Sequence, residues 1–186
     1  MRKFAGVLFA AALALPAGAF LASSPGGAAA ATPTCKTAAG TATFNPALPP
    51  LGSTTKVKGT LSAVGTVGKC TGGGVASGKT KFTSPKSTTG ANCTTLAAPA
   101  PNSKGTVGTI VITWNNNKTS TAKVFTIKQV TGSPTHANTT GKITAGLFKG
   151  KSISGQVAYT LPKGACSKGH PLKTVKYSAL KPFAIK

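Results

Sequence analysis

The 186-residue chain contains no aspartate and no glutamate, against 22 lysines and arginines. At ordinary usage about 18 acidic residues would be expected in the part that follows the N-terminal segment. Their absence removes whole classes of chemistry. Paired-carboxylate glycoside hydrolysis and metal-dependent hydrolysis that relies on Asp or Glu are excluded. No carboxylate can fix the tautomer of a catalytic histidine. Side-chain salt bridges are excluded too, and the lysines repel one another, which opposes a compact state. Arginine is equally scarce. Arg2 is the only one, so the fork-shaped donor that reads guanine edges and stacks on bases is missing from the rest of the chain. The expectation is no dedicated nucleic-acid target. Histidines number two, His136 and His170, both expected in loops flanked by Gly and Pro, and no metal or other cofactor is expected. With one Trp and two Tyr, the aromatics Trp114, Phe125, Tyr159 and Tyr177 are expected in the core rather than on a binding surface.

What is present begins with an export signal. Arg2 and Lys3 form a basic start, Phe4 to Phe20 an apolar stretch broken by Pro16, and Pro25 to Ala31 a small-residue cleavage region. Residues 1–31 are therefore set aside, and no membrane span is expected after cleavage. Thr32, Pro33 and Thr34 ahead of Cys35 do not make a lipoprotein box. Leu161 to Ala165 lacks the Thr-Gly pair of a sortase signal. Residues 32–186 fit one domain, secreted and soluble or associated with the cell wall. Taking Arg2 and Lys3 from the 22 basic residues leaves 20, all lysine. The four cysteines predict two disulfides and an oxidising compartment. Of the three pairings open to them, Cys70 with Cys93 and Cys35 with Cys166 is expected, the second bracketing the domain.

Period-two alternation recurs along the chain and helical periodicity does not. Strands are predicted at Thr41–Phe44, Thr55–Val64, Val75–Phe82, Thr109–Trp114, Thr119–Val130, Lys142–Phe148, Ser152–Leu161, Thr174–Ala179 and Lys181–Ile185. Asn115 to Asn117 supply a hairpin turn. The fold class is all-β, a single-domain antiparallel β-sandwich of immunoglobulin-like form or a small barrel of about eight strands. Residues 84–104, rich in Pro, Ala, Ser and Thr, form a long irregular connection.

Two motifs imitate active sites. Gly73 to Thr80 matches the phosphate-loop pattern, but no helix follows and no Asp exists to hold magnesium, so a glycine-rich turn into a strand is expected. Ser53 and Lys56, Ser120 and Lys123, and Ser178 and Lys181 have the spacing of acyl enzymes that need a helix, yet all lie in or beside predicted strands. A carboxylate-independent Ser/Lys hydrolase or acyltransferase is the competing expectation. Asn92, Asn117 and Asn138 begin N-x-S/T patterns that matter only in a glycosylating host.

Cys35, then Thr41 to Leu48 (TATFNPAL), Gly59 to Ser62 (GTLS) ahead of Cys70, Ile112 to Asn116 leading to Thr119–Thr121, and Gly141 to Gly150 with Leu147 and Phe148 resemble a group of small secreted β-proteins of unknown function from actinobacteria. The resemblance implies secretion and a compact β-fold. It carries no activity. Members of that group have some acidic residues, whereas here Phe148 is followed by Lys149, Gly150 and Lys151.

The functional expectation is a non-catalytic, monomeric secreted or cell-surface domain that associates unspecifically with anionic envelope polymers. Lys56, Lys58, Lys79, Lys81, Lys149, Lys151, Lys173 and Lys176 are the candidate anion contacts. A basic membrane-active protein is a third expectation. Acid unfolding ordinarily proceeds by protonating native carboxylates, and here only the chain terminus has one. Melting temperature should therefore stay nearly constant from neutrality down to low pH, apart from any contribution of the two histidines. A cooperative loss of structure near pH 4 in a thermal-melt series would contradict this.

Overall fold

Alternating side chains decide which way each strand of this chain faces. The computed structural model describes residues 31–98, 103–133 and 135–186. Its strands are β1 (Thr34–Leu48), β2 (Thr60–Thr71), β3 (Gly78–Thr83), β4 (Thr106–Trp114), β5 (Thr119–Gln129), β6 (His136–Lys142), β7 (Ala145–Gly146), β8 (Ser152–Thr160) and β9 (Leu172–Ile185), with one short helix, α1 (Cys93–Ala97). On β4, Gly108, Ile110, Ile112 and Trp114 are buried; on β3, Phe82 is buried while Lys79, Lys81 and Thr83 are exposed. Every pairing is antiparallel. β1 to β6 pair in chain order, β6 pairs with β8, β8 with β9, and β9 returns to β1. The result is a closed eight-stranded up-and-down barrel. The two-residue β7 is extra, pairing with β5 at Ser120 and Thr121. Of the two expected architectures, the sandwich is replaced by the barrel. The β1–β9 and β4–β5 pairings leave none of the eight strands with a free edge.

The core lies inside the barrel in cross-strand rows. One row runs Val175, Ala42, Ala63, Phe82, Ile110, Ala122, a buried residue from each of six neighbouring strands. Facing β4, β5 slips register between Gly108 and Ile110. Lys123 and Val124 are both exposed at the slip, and Phe125 regains the interior. Such a bulge restores the phase that one extra residue would otherwise invert.

The next row is Tyr159, Tyr177, Gly40, Gly65, Thr80, Ile112, Ser120. Tyr177 lies across the two glycines. A Cβ on Gly40 would stand 2.2 Å from the Val64 carbonyl oxygen and 2.4 Å from Tyr177 Oη, and one on Gly65 2.3 Å from the same Oη. Other inward glycines serve other rings. Gly108 makes room for Phe82, Gly78 for Trp114, and Gly141 for Phe125. At the barrel end next to the β2–β3 turn, Trp114 Nε1 donates to Ser120 Oγ at 2.8 Å, and Phe148 packs edge-on to Trp114 with ring centroids 5.7 Å apart.

Several expected elements differ. The strand expected at Thr55–Val64 begins only at Thr60, because Val57 is drawn aside into an isolated bridge with Ala91. Lys142–Phe148 is not one continuous strand: it holds only the last residue of β6 and the two residues of β7. β6 ends at Lys142, and Gly146, Phe148 and Gly150, all at positive φ, fold the segment into turns. His136, expected in a loop, opens β6 and is half-buried. Thr174–Ala179 and Lys181–Ile185 are one strand, β9, accommodated by register shifts against β8. The 84–104 connection carries α1, whose N-cap Asn92 accepts from the Thr95 amide while the Thr95 hydroxyl accepts from the Asn92 amide.

The disulfide pairing also differs from expectation. Cys35 bonds Cys70, and Cys93 bonds Cys166. Cys35 and Cys70 are direct partners in the β1–β2 register. Cys70 stands near the end of β2, and six residues of β3, about 20 Å of strand, carry the chain to the opposite barrel end before Cys93. There Cys93 and Cys166 tie α1 to the β8–β9 connection. The Cys93 amide donates to Pro49 O, and the Leu51 amide to Cys166 O, both at 2.9 Å. The buried Asn92 side chain donates to Ser53 O and Thr55 O. The loops span 35 and 73 residues, for which closure entropy gives about 4 kcal/mol each.

Gly40→Ala should destabilise the barrel by about 1–3 kcal/mol, since backbone as well as the Tyr177 ring must give way. Gly68→Ala, meeting only the Thr37 hydroxyl at 3.0 Å, should cost far less. Denaturant midpoints of the two variants check this, and equal midpoints would refute it.

Candidate functional site

All eight candidate lysines are exposed, but they do not form one cluster. Lys56 and Lys58 lie in the β1–β2 connection, at the end closed by α1. Lys149 and Lys151 lie in the turn before β8, at the opposite end, where the Lys151 amide donates to Phe148 O and the Ile143 amide to Lys151 O. Lys79 and Lys81 point outward from β3. Lys173 and Lys176 are exposed on β9.

Register brings some of these together. Lys176 pairs with Thr41, Thr41 with Val64, and Val64 with Lys81. Lys176 and Lys81 thus sit on one outer row, three strand steps or about 14 Å apart, with a hydroxyl and an exposed valine between them. Lys79 follows two residues along β3, on the same wall. Lys173 borders a depression of about 580 Å³ lined also by Thr43, Phe44, Asn45, Ala47, Thr60 and Ser62. Sequence reading did not find this depression, because Lys173 of β9 meets the β1–β2 residues only through the long-range β1–β9 pairing.

The two imitation motifs resolve structurally. Gly72, Gly73 and Gly74 all take positive φ in the β2–β3 turn, Gly73 lies against Phe148 and Pro33, and Gly78 opens β3 with Lys79 outward. Among the Ser/Lys pairs, Ser120 is buried, accepting from Trp114 and donating to Leu147 O, while Lys123 is exposed. Residues three apart on a strand are about 10 Å apart and face opposite sides. Ser53 Oγ accepts from the Thr55 amide in the β1–β2 connection. Among the described residues no group of three or more His, Cys, Asp or Glu side chains could hold a metal. His170 Nδ1 contacts Ser167 Oγ and Lys168 O in its turn. Of the N-x-S/T asparagines, Asn92 is buried, Asn117 is exposed at the β4–β5 turn, and Asn138 on β6 accepts from Gln156 on β8. The signal segment 1–31 lies outside the described residues apart from Ala31.

Trp114 and Phe125 are core residues, as expected. Burial perturbs the titration of two tyrosines. Burial pushes the Tyr159 phenol up to about 12, and Gln129 Nε2 donates to its oxygen at 2.8 Å. Burial also raises Tyr177, with a Thr80 hydrogen bond acting the other way. No known protein family, curated protein or solved structure matches this chain.

A phenol whose folded pKa lies above its unfolded value contributes stability that is complete below pH 10 and lost as pH rises toward about 12. Tyrosinate absorbance should therefore rise later in the native protein than in denaturant. Ionisation of both phenols near pH 10 without unfolding would show the tyrosines to be solvated.

Proposed function

We propose that this chain is an exported, non-catalytic β-barrel domain that works as a monomer at the cell surface and associates through charge with anionic envelope polymers. One observation carries the reading. All 20 lysines from Lys36 to Lys186 are exposed, and no side-chain carboxylate exists to neutralise any of them. A wall of unpaired ammonium groups creates a positive field that speeds encounter with polyanions. The two disulfides fit an oxidising compartment outside the cytoplasm, as does the N-terminal signal. Ser120, buried on the far side of β5 from the exposed Lys123, supports a non-catalytic role. Barrel closure supports a monomer, because none of the eight strands is left with an open edge to recruit another chain.

Lysine acts as a point charge and offers no planar fork, so discrimination among anions by charge alone should be weak. Binding to heparin, duplex DNA and anionic vesicles should be measurable at low salt and collapse as salt rises. On duplex DNA each neutralised phosphate should steepen the plot of log affinity against log salt by about 0.9. No binding to any of the three at low salt refutes the proposal. Stoichiometric labelling of one serine by a fluorophosphonate would support an enzyme instead, and dye leakage from the vesicles a membrane-active protein.

A further inference from the structure

The outer wall of the barrel carries a row of hydroxyls that the strand register lines up. Thr174 pairs with Thr43, Thr43 with Ser62, Ser62 with Thr83, and Thr83 with Thr109. These residues come from β9, β1, β2, β3 and β4, and each is exposed or half-buried. Four strand steps place the row along about 19 Å of surface. Both ends are marked by lysine. At one end Lys173 precedes Thr174 and borders the depression that holds Thr43, Asn45, Thr60 and Ser62. At the other, the Thr109 hydroxyl donates to the carbonyl of the exposed Lys123. The neighbouring outer row brings Lys176 and Lys81 alongside.

The chemistry of this track is specific in kind. Hydroxyl and amide groups exchange hydrogen bonds with hydroxyls, and flanking ammonium groups take a negative charge at intervals. The one ring at the depression, Phe44, is half-buried against the core, and among the described residues no exposed large hydrophobic is aromatic, so no exposed ring is offered for the stacking that would hold a neutral sugar. We infer that the Thr174–Thr109 row is a binding track for a linear polyanion that also bears free hydroxyls, such as a polyol phosphate or an acidic polysaccharide. The inference rests on the charge-based reading above and adds to it a location and a ligand class.

The test compares polymers that share charge and differ in hydroxyls. Poly(ribitol phosphate) and polyglucuronate carry both, and inorganic polyphosphate carries charge alone. At moderate salt the wild-type protein should prefer the hydroxyl-bearing polymers by about tenfold, which one or two net hydrogen bonds supply. The variant Thr43→Val, Ser62→Ala, Thr83→Val should lose that preference while keeping its affinity for polyphosphate. Lys81→Gln with Lys176→Gln should weaken all three polymers together. Equal binding of all three polymers by the wild type, or a triple variant that keeps the preference, overturns the track and leaves the charge-based reading intact. No binding to polyphosphate at low salt overturns both. Preference for only one of the two hydroxyl-bearing polymers supports the track and identifies the source. Should the triple variant fold poorly, amide-exchange protection on the wild-type protein with poly(ribitol phosphate) decides. Protection at 43, 62, 83 and 109 supports the track, and protection centred on Lys149–Lys151 or Lys56–Lys58 overturns it.

Discussion

β1 carries β2 along one edge and β9 along the other, and this double pairing makes neighbours of the first and last strands. Closure of the barrel depends on it, and so does the interior. Open the β1–β9 pairing, and Tyr177 on β9 loses Gly40 and Gly65, the residues over which its ring lies. The depression at Lys173 and the outer hydroxyl row would be divided as well, since each has members on both sides of that pairing.

A chain of like charges has to find its stability elsewhere than in ion pairs. Here the interior is narrow, and it is filled by setting large rings over residues without side chains: Tyr177 on Gly40 and Gly65, Phe82 on Gly108, Phe125 on Gly141. Glycine inside a strand ordinarily weakens it, and a ring covering the bare backbone offsets that. The disulfides act at opposite ends. Cys35–Cys70 fastens β1 to β2, and Cys93–Cys166 gathers the connections around α1.

Much of this was legible where local pattern decides. Lys79 and Lys81 outward with Phe82 inward on β3, and the Asn115–Asn117 turn, follow from alternation and turn chemistry alone. The misreadings share one cause. Whether Cys70 can reach Cys93, whether Val57 joins β2 or Ala91, and whether Lys142–Phe148 runs straight are questions about which parts of the chain meet, and local periodicity is silent on that. Counting strand reversals would have separated Cys70 from Cys93. Asn92 followed three residues on by Thr95 was a cap signal for α1, present in the sequence but obscured by its irregular surroundings. Barrel over sandwich could not be read at all, because that choice rests on one long-range pairing, β1 with β9. The candidate lysines were legible as exposed, but their order on the wall was not.

The same pairing sets a timetable for the chain as it is made. Residues 34–48 emerge early, and their second partner, 172–185, is the last strand to arrive. β1 to β6 can zip together by successive hairpins as each emerges outside the cytoplasm, so Cys35 can meet Cys70 before the later strands are in place. Cys93 must wait for Cys166, and the barrel for its final strand. A protein assembled in this order remains an open sheet with two free edges, β1 and β8, until β9 joins both and closes the barrel in a single step.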